Sequence, residues 1–206
     1  MQIKNKLPVI CFLSLLLLSL NLYAAEFDIK AKELLVDKDD KIFVGEGDVQ
    51  ATDSEGKLIN ADKITYDRSK EFLTAEGSVK VTDIEGNILK SDKITYDKVN
   101  EIITSYEDSE LILKEGYKLI TKDVYYNATK KILSSNKNST FMDEDGNIVE
   151  TEMFQYDIKN NLFSSIGKIK IIDMKKNKYF FKEFYADTKK KEMIGSDVSV
   201  VLDQKN

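Results

Sequence analysis

From Phe27 to Leu202 the chain alternates apolar and polar residues at period two, in stretches of about a dozen residues rich in Ile, Val, Thr, Tyr and Phe. Such alternation predicts β-strands with one buried and one wet face. One set of strands carries Phe43, Leu73, Ile103, Leu133 and Phe163 at a single level of the inner face. Two residues on come the small side chains Gly45, Ala75, Ser105, Ser135 and Ser165. Further along lie Val49, Val79 and Ile169, and then Val81, Leu111, Phe141 and Ile171. The opposite face holds Asp48, Ser78 and Lys168, then Gln50, Lys80, Glu110 and Lys170. The intervening strands place Ile64, Ile94, Val124 and Phe154 inward.

The pattern recurs every 30 residues without a gap: AKELLVD, ADKITYD, SDKITYD, TKDVYYN, TEMFQYD and FKEFYAD begin at Ala31, Ala61, Ser91, Thr121, Thr151 and Phe181. A repeat of this length marks a stacked architecture in which each copy covers its neighbour. Each copy has two turn signals about 15 residues apart. The first is the closing Asp or Asn (Asp37, Asp67, Asp97, Asn127, Asp157, Asp187), and the second is a Gly-containing tetrad such as Ser54-Glu55-Gly56-Lys57 or Ile84-Glu85-Gly86-Asn87. Asx and Gly residues supply the local hydrogen bonds and positive φ angles of tight hairpins.

A crease runs through the strands. Gly47, Gly77 and Gly167 fall mid-strand, where glycine marks a bend or bulge, and in the neighbouring strand Ile59 and Ala61 are in phase while the apolar positions resume one residue late at Ile64 and Tyr66. Both strands are therefore expected to fold over. The predicted fold class is all-β: an elongated open β-jelly roll of antiparallel strands built from 30-residue repeats, in which each strand serves two facing sheets. About eleven strands at the usual spacing give a body on the order of 50 Å long.

The first residues read differently. Lys4 and Lys6, the apolar stretch Leu7 to Leu20, and Leu22-Tyr23-Ala24 fit a secretory signal peptide over 1–24, cut after Ala24 or Ala25, with the repeat domain (about 5.5 copies) over 25–206. The apolar run is shorter than the roughly 18 to 20 residues of a membrane-spanning helix. Cys11, preceded by Val9-Ile10, lacks the small residue that a lipoprotein signal places before its cysteine.

Removing this segment leaves neither Cys nor His, which excludes disulfides, thiol nucleophiles, imidazole bases and ordinary zinc sites. The 31 Lys and Arg less Lys4 and Lys6 leave 29 against 36 acidic residues, a net charge of −7 that disfavours a nucleic-acid partner. The acidic residues recur at turns and on the wet face, so a turn-capping role accounts for them better than catalysis, and no enzyme, cofactor or metal is expected. Asp143-Glu144-Asp145-Gly146 faintly matches a calcium loop but lacks the bidentate Glu at the required spacing.

Two functional readings remain. The small residues among large inner ones suggest a notched, open apolar groove that holds acyl chains, lined by Phe43, Leu73, Ile103, Leu133, Phe163, Ile64, Ile94, Val124, Phe154, Val79, Val81, Leu111, Phe141 and Ile171. The alternative is an exported structural or adhesive β-repeat protein with a filled core. The stack would also have two free edges able to accept strands: one around Phe27, Ile29 and Leu34, the other around Val198 and Val200.

ADKITYD followed by FLTAEGSVKVTDIEGNILKSDKITYD resembles the OstA-like domain of the lipopolysaccharide transport proteins, found in LptA and at the N-terminus of LptD. Its clearest copies lie at 31–90, and the glycine column fades from about Ser105 onwards. The resemblance implies a periplasmic jelly roll at the inner face of the outer membrane, with lipopolysaccharide acyl chains inside. It further implies end-to-end strand pairing with related jelly rolls, and an outer-membrane barrel as a following domain or partner.

Overall fold

A computed structural model describes residues 27–114, 116–190 and 192–203. The expected signal segment and its Cys11 lie outside the described residues. All the regular structure described is β: β1 (Phe27–Lys30), β2 (Glu33–Val36), β3 (Ile42–Asp53), β4 (Leu58–Asp67), β5 (Phe72–Thr82), β6 (Ile88–Asp97), β7 (Ile102–Ile112), β8 (Lys118–Lys122), β9 (Tyr125–Asn127), β10 (Ile132–Ser135), β11 (Ser139–Met142), β12 (Ile148–Thr151), β13 (Phe154–Asp157), β14 (Leu162–Ile172), β15 (Lys178–Asp187), β16 (Glu192–Ser196) and β17 (Ser199–Val201). No described helix is long and apolar enough to cross a membrane.

Every pairing is antiparallel, and none links strands more than three apart in chain order. The short elements are halves of creased strands. β1 and β2 both pair with β3, β8 and β9 both pair with β7, and β16 and β17 both pair with β15. Counted this way, twelve long strands stack, one more than the alternation suggested. Where the crease leaves the ladder unbroken, it appears as a register shift, between Glu46 and Val49 in β3 and between Glu76 and Val79 in β5.

The crease divides each strand between two limbs. The first limb contains the Asx turns and the level of Phe43, Leu73 and Ile103; the second contains the Gly turns and the level of Ala51, Val81 and Leu111. Inner residues of one limb meet those of the other, as when Phe141 of the second limb packs edge-on against Phe154 of the first, ring centroids 4.7 Å apart.

The glycine column explains only part of the crease. Gly47 and Gly77 have φ of 77° and 76°, and each is followed by a non-glycine residue in the same left-handed region, Asp48 and Ser78, both at 47°. Gly167 repeats this later, at φ 110°, but other copies bend without glycine: Glu107, Asp123 and Asp197 take φ of 59°, 51° and 51°. At Glu107 the bend is held by the Asp123 carboxylate, which accepts the Glu107 backbone N–H at 2.9 Å. Asp and Asn tolerate this conformation because their short polar side chains bond locally.

The small residues do not make open notches, contrary to the sequence reading. They line the closed side of the crease, where the limbs approach most tightly. A Cβ on Gly45 would lie 2.9 Å from Val49 Cγ1 and 3.2 Å from Ala31 Cβ. Ala75, Ser105, Ser135 and Ser165 in the same column are all buried.

Gly77→Ala and Gly86→Ala test how tightly the crease is packed. Both put a side chain on left-handed backbone, at φ of 76° and 94°, for a cost of about 1 kcal/mol. At Gly77 the new Cβ also meets Asp62 Cβ and Cγ at 2.9 Å, whereas at Gly86 it meets nothing within 4 Å. Urea unfolding should show Gly77→Ala losing about 2 kcal/mol or more and Gly86→Ala about 1. Equal losses would mean that the crease has room to spare.

Candidate apolar groove

The interior between the limbs is where the sequence placed a groove. It runs the length of the stack, closed at the crease and bordered on the other long side by the two rows of turns. That second side is its mouth.

At the crease the lining changes along the stack. In β3 to β5 the limbs meet through Gly45, Val49, Ala61, Ala75 and Val79, all buried. From β6 onwards hydroxyls replace them. Ser105 and Ser109 Oγ lie 2.7 Å apart, Ser109 donates to Ser91 at 3.2 Å, Thr121 and Ser139 are 2.7 Å apart, and Thr151 meets Ser165. Ser105 Oγ accepts the Val124 backbone N–H at 3.0 Å, and Ser135 donates to the Lys122 carbonyl at 2.6 Å. No buried side-chain N or O among the described residues lacks a partner, so the hydroxyls join the limbs at little cost in desolvation. The sequence reading passed over Ser109 and Ser139, although they occupy the column of Val49, Val79 and Ile169.

The predicted lining residues fall into two groups. In the N-terminal half, Ile64, Leu73, Ile94, Val79 and Val81 pack with Ala51, Ile59, Tyr66 and Tyr96 into a filled core, with Phe43 against it and Ile103 at its far end. In the C-terminal half, Val124, Leu133 and Phe154 are buried, while Leu111, Phe141 and Phe163 are half-buried against them. Ile171 is half-buried as well. Four phenylalanines dominate that end: Phe141 lies 5.0 Å edge-on from Phe163, Phe154 stacks on Phe163 at 6.0 Å, and Phe184 meets Phe163 at 6.1 Å.

An interior open along its whole length is thus not what the chain forms. The N-terminal half is shut because β1 brings Phe27 from the second limb against Tyr66 and Tyr96 of the first, with centroids at 5.0 and 6.1 Å. The tyrosines one and two repeats on, Tyr126 and Tyr156, pack against the core from one side and are half-buried.

Among the described residues, both ends of the stack present strands paired on one side only. β1 and β2 pair with β3, and β16 and β17 with β15. Phe27 and Ile29 turn their side chains into the core, while Leu34, Val198 and Val200 are exposed.

The outer face is ionic. Lys63 reaches Glu46 at 2.7 Å, Lys93 reaches Glu76 at 2.8 Å and Lys170 reaches Glu150 at 3.0 Å, all across strands and largely solvated. An open furrow lined among others by Lys122, Glu150, Glu152 and Lys168 mixes both signs of charge. Among the described residues no three His, Cys, Asp or Glu side chains converge as a metal site would require.

The Asx column caps turns. Asp37 accepts the Lys41 and Ile42 N–H groups at 2.6 and 2.9 Å, Asp97 and Asp157 each hold an Asn three residues on, and Asn127 accepts the Lys130 N–H at 2.7 Å. A second Asp column, not singled out from the sequence, opens the Gly turns: Asp53, Asp83, Asp143 and Asp173 each accept the N–H four residues on, at 2.8 to 2.9 Å. The recurring D-x-x-x-[KN] spacing was its signal.

No family model and no curated protein matches the sequence. Among solved structures the chain is similar to LptH from Pseudomonas aeruginosa, the LptA-homologous periplasmic component of the lipopolysaccharide transport device. The match has 16% identity and a TM-score of 0.32, and covers 72% of this chain and 96% of that one. A superposition that loose is no ground for assigning a function.

The turn carboxylates predict a pH response. Hydrogen bonds from Lys70 and Ser69 hold Asp67 down to about 2, and bonds from Asn100 and Asn160 likewise lower Asp97 and Asp157. A lowered folded-state pKa contributes stability that is complete above the ordinary carboxylate value of about 4 and is lost as pH falls through about 2. Acid titration followed by circular dichroism should show stability falling across that window. Asp67→Asn should fold normally at pH 7, as Asn127 does in its own turn, and lose less on acidification. An unchanged acid profile would show that this carboxylate does not contribute.

Proposed function

We propose that the chain is an exported carrier that holds the acyl chains of lipopolysaccharide between its two limbs and passes them along the stack in the periplasm, towards the outer membrane. The observation that carries this reading is the half-open aromatic interior of the C-terminal half, with Phe141, Phe163, Leu111 and Ile171 incompletely covered beside a mouth running along one long side. Each methylene removed from water is worth about 0.8 kcal/mol, so a molecule with several acyl chains needs a continuous apolar track to cross an aqueous compartment. The groove then comprises the fourteen inner residues from Phe43 to Ile171 named above. Residues 1–24 serve as the export signal, and 25–206 form the carrier domain.

The end strands extend the track. Leu34 at 46%, Leu35 at 65%, Val198 at 54%, Val200 at 49% and Ile194 at 75% relative exposure are too apolar for edges left in water. Pairing with the terminal strands of related jelly rolls, or with a domain leading to an outer-membrane barrel, would cover them and align the interiors.

The filled N-terminal core, where Ile59, Ile64, Leu73 and Ile94 are fully buried, favours a second reading as a purely structural β-repeat protein. A lipid carrier should copurify with glycolipid and bind an apolar dye; a structural stack should do neither.

Photo-crosslinkers at Phe141 and Phe163 should capture lipopolysaccharide while one at Lys80, on the outer face, should not. Equal capture on both faces would overturn the groove. At the C-terminal edge, Ile194→Asp and Val200→Asp place charges on exposed positions, so the β circular-dichroism signal should persist while association with a partner jelly roll weakens at least tenfold. Undiminished association would remove this edge from the junction.

A further inference from the structure

Two copies of the repeat depart from the others at the mouth: one has Tyr117 at the residue that closes the Gly turn, and it is exposed, while the other reaches across. The residue closing the Gly turn is Asn87, Asn147 or Asn177 in three copies, and each stays on its own limb: its amide oxygen accepts a backbone N–H from the neighbouring turn, from Lys114, Met174 and Asp203 respectively, at 3.1 Å. In the first copy that position is Lys57, which crosses the mouth. Its ammonium donates to the Tyr96 hydroxyl at 3.0 Å, lies 4.3 Å from the centre of the same ring and pairs with Asp53 at 3.3 Å. Tyr96 in turn donates to Glu101 at 2.9 Å. Asp53 and Lys57 belong to the second limb, Tyr96 and Glu101 to the first.

The group is well shielded. Tyr96 is 1% exposed, and the Asp53 and Lys57 side chains are 1% and 15% exposed. Phe27 covers the tyrosine, with Lys98 5.7 Å from its ring on the outside. Burial, and then the bond to Glu101, push the Tyr96 phenol above its ordinary range, so it remains a neutral donor that also accepts from Lys57.

We propose that Lys57, Tyr96 and Glu101, covered by Phe27, form a latch across the mouth of the N-terminal half that must be released before an acyl chain can occupy that half. The inference rests on the carrier reading for its ligand but not for its existence. A few hydrogen bonds each contribute little net stability, so such a closure can open without unfolding. The hydroxyl-lined crease and half-covered aromatics leave the C-terminal half ready to receive a chain first. The latch then makes entry to the next half a separate step.

The test uses the full chain with Cys11→Ser, so that an introduced cysteine is the only thiol. Ala51→Cys reports from the latched interior, where Ala51 is fully buried, and Ser139→Cys, at a position 3% exposed, reports from the other half. Maleimide labelling of the cysteine at 51 should accelerate about tenfold with Tyr96→Phe or Lys57→Met, while labelling at 139 stays unchanged; Lys57→Arg, which keeps the cation, should restore slow labelling. Unchanged labelling at 51, or a parallel rise at 139, would overturn the latch.

A photo-crosslinker at Leu73 should then capture more added lipopolysaccharide in Tyr96→Phe than in the parent. Faster labelling with no capture at Leu73 or Phe141 would sink the carrier reading and leave the latch standing. Capture at both positions with labelling unchanged would do the reverse.

Discussion

A ten-residue strand can face two sheets only if its pleat reverses partway, and here the reversal is made by a register shift, with left-handed residues at Gly47-Asp48 and Gly77-Ser78 in alternate strands. Everything else in this chain is arranged around that requirement. The bend brings the inner faces of the two limbs together and leaves room only for small side chains on its concave side. Gly45, Ala75 and the serines at 105, 135 and 165 occupy that line for this reason. At Glu107, where the bend residue is not glycine, the Asp123 carboxylate fixes it by accepting the opposing backbone N–H.

A creased stack has a closed side and a mouth, and the two are stabilised by different chemistry. The closed side is apolar in the first strands and hydroxyl-bonded later, so the limbs are joined either by close van der Waals contact or by paired Ser and Thr groups such as Ser105 with Ser109 and Thr151 with Ser165. The mouth is bordered by Asx-capped turns, which hold the rows of hairpins in order but do not by themselves cross the gap. Crossing it takes a long side chain. Phe27 and Lys57 provide one aromatic and one cationic crossing, both in the N-terminal half, and that half has the filled core.

This asymmetry frames the functional question. A filled half beside a half-open one suits a protein that takes ligand at one end and admits it to the other only after a local opening. Of the aromatic cluster there, Phe154 and Phe184 are buried while Phe141 and Phe163 remain partly uncovered. The exposed valines and leucines at the ends of the stack are the other apolar surface left uncovered among the described residues.

The amino-acid sequence by itself determined the 30-residue period, the antiparallel order of strands, the inner and outer faces, the crease at Gly47 and Gly77, and the turn role of the Asp37-to-Asp187 column. Each of these is a local property, set by alternation, by backbone preference or by a side chain bonding its own turn. Only the tertiary structure decided what the inner face encloses. The small residues looked like notches because period two gives the side on which a residue lies, not how close the opposing limb comes. Likewise, Lys57 read as an ordinary turn residue, since its partner Tyr96 lies 39 positions away and the contact exists only once two limbs face each other across a mouth. Whether an apolar column is core or groove depends on what covers it, and here the cover is a single edge strand carrying Phe27.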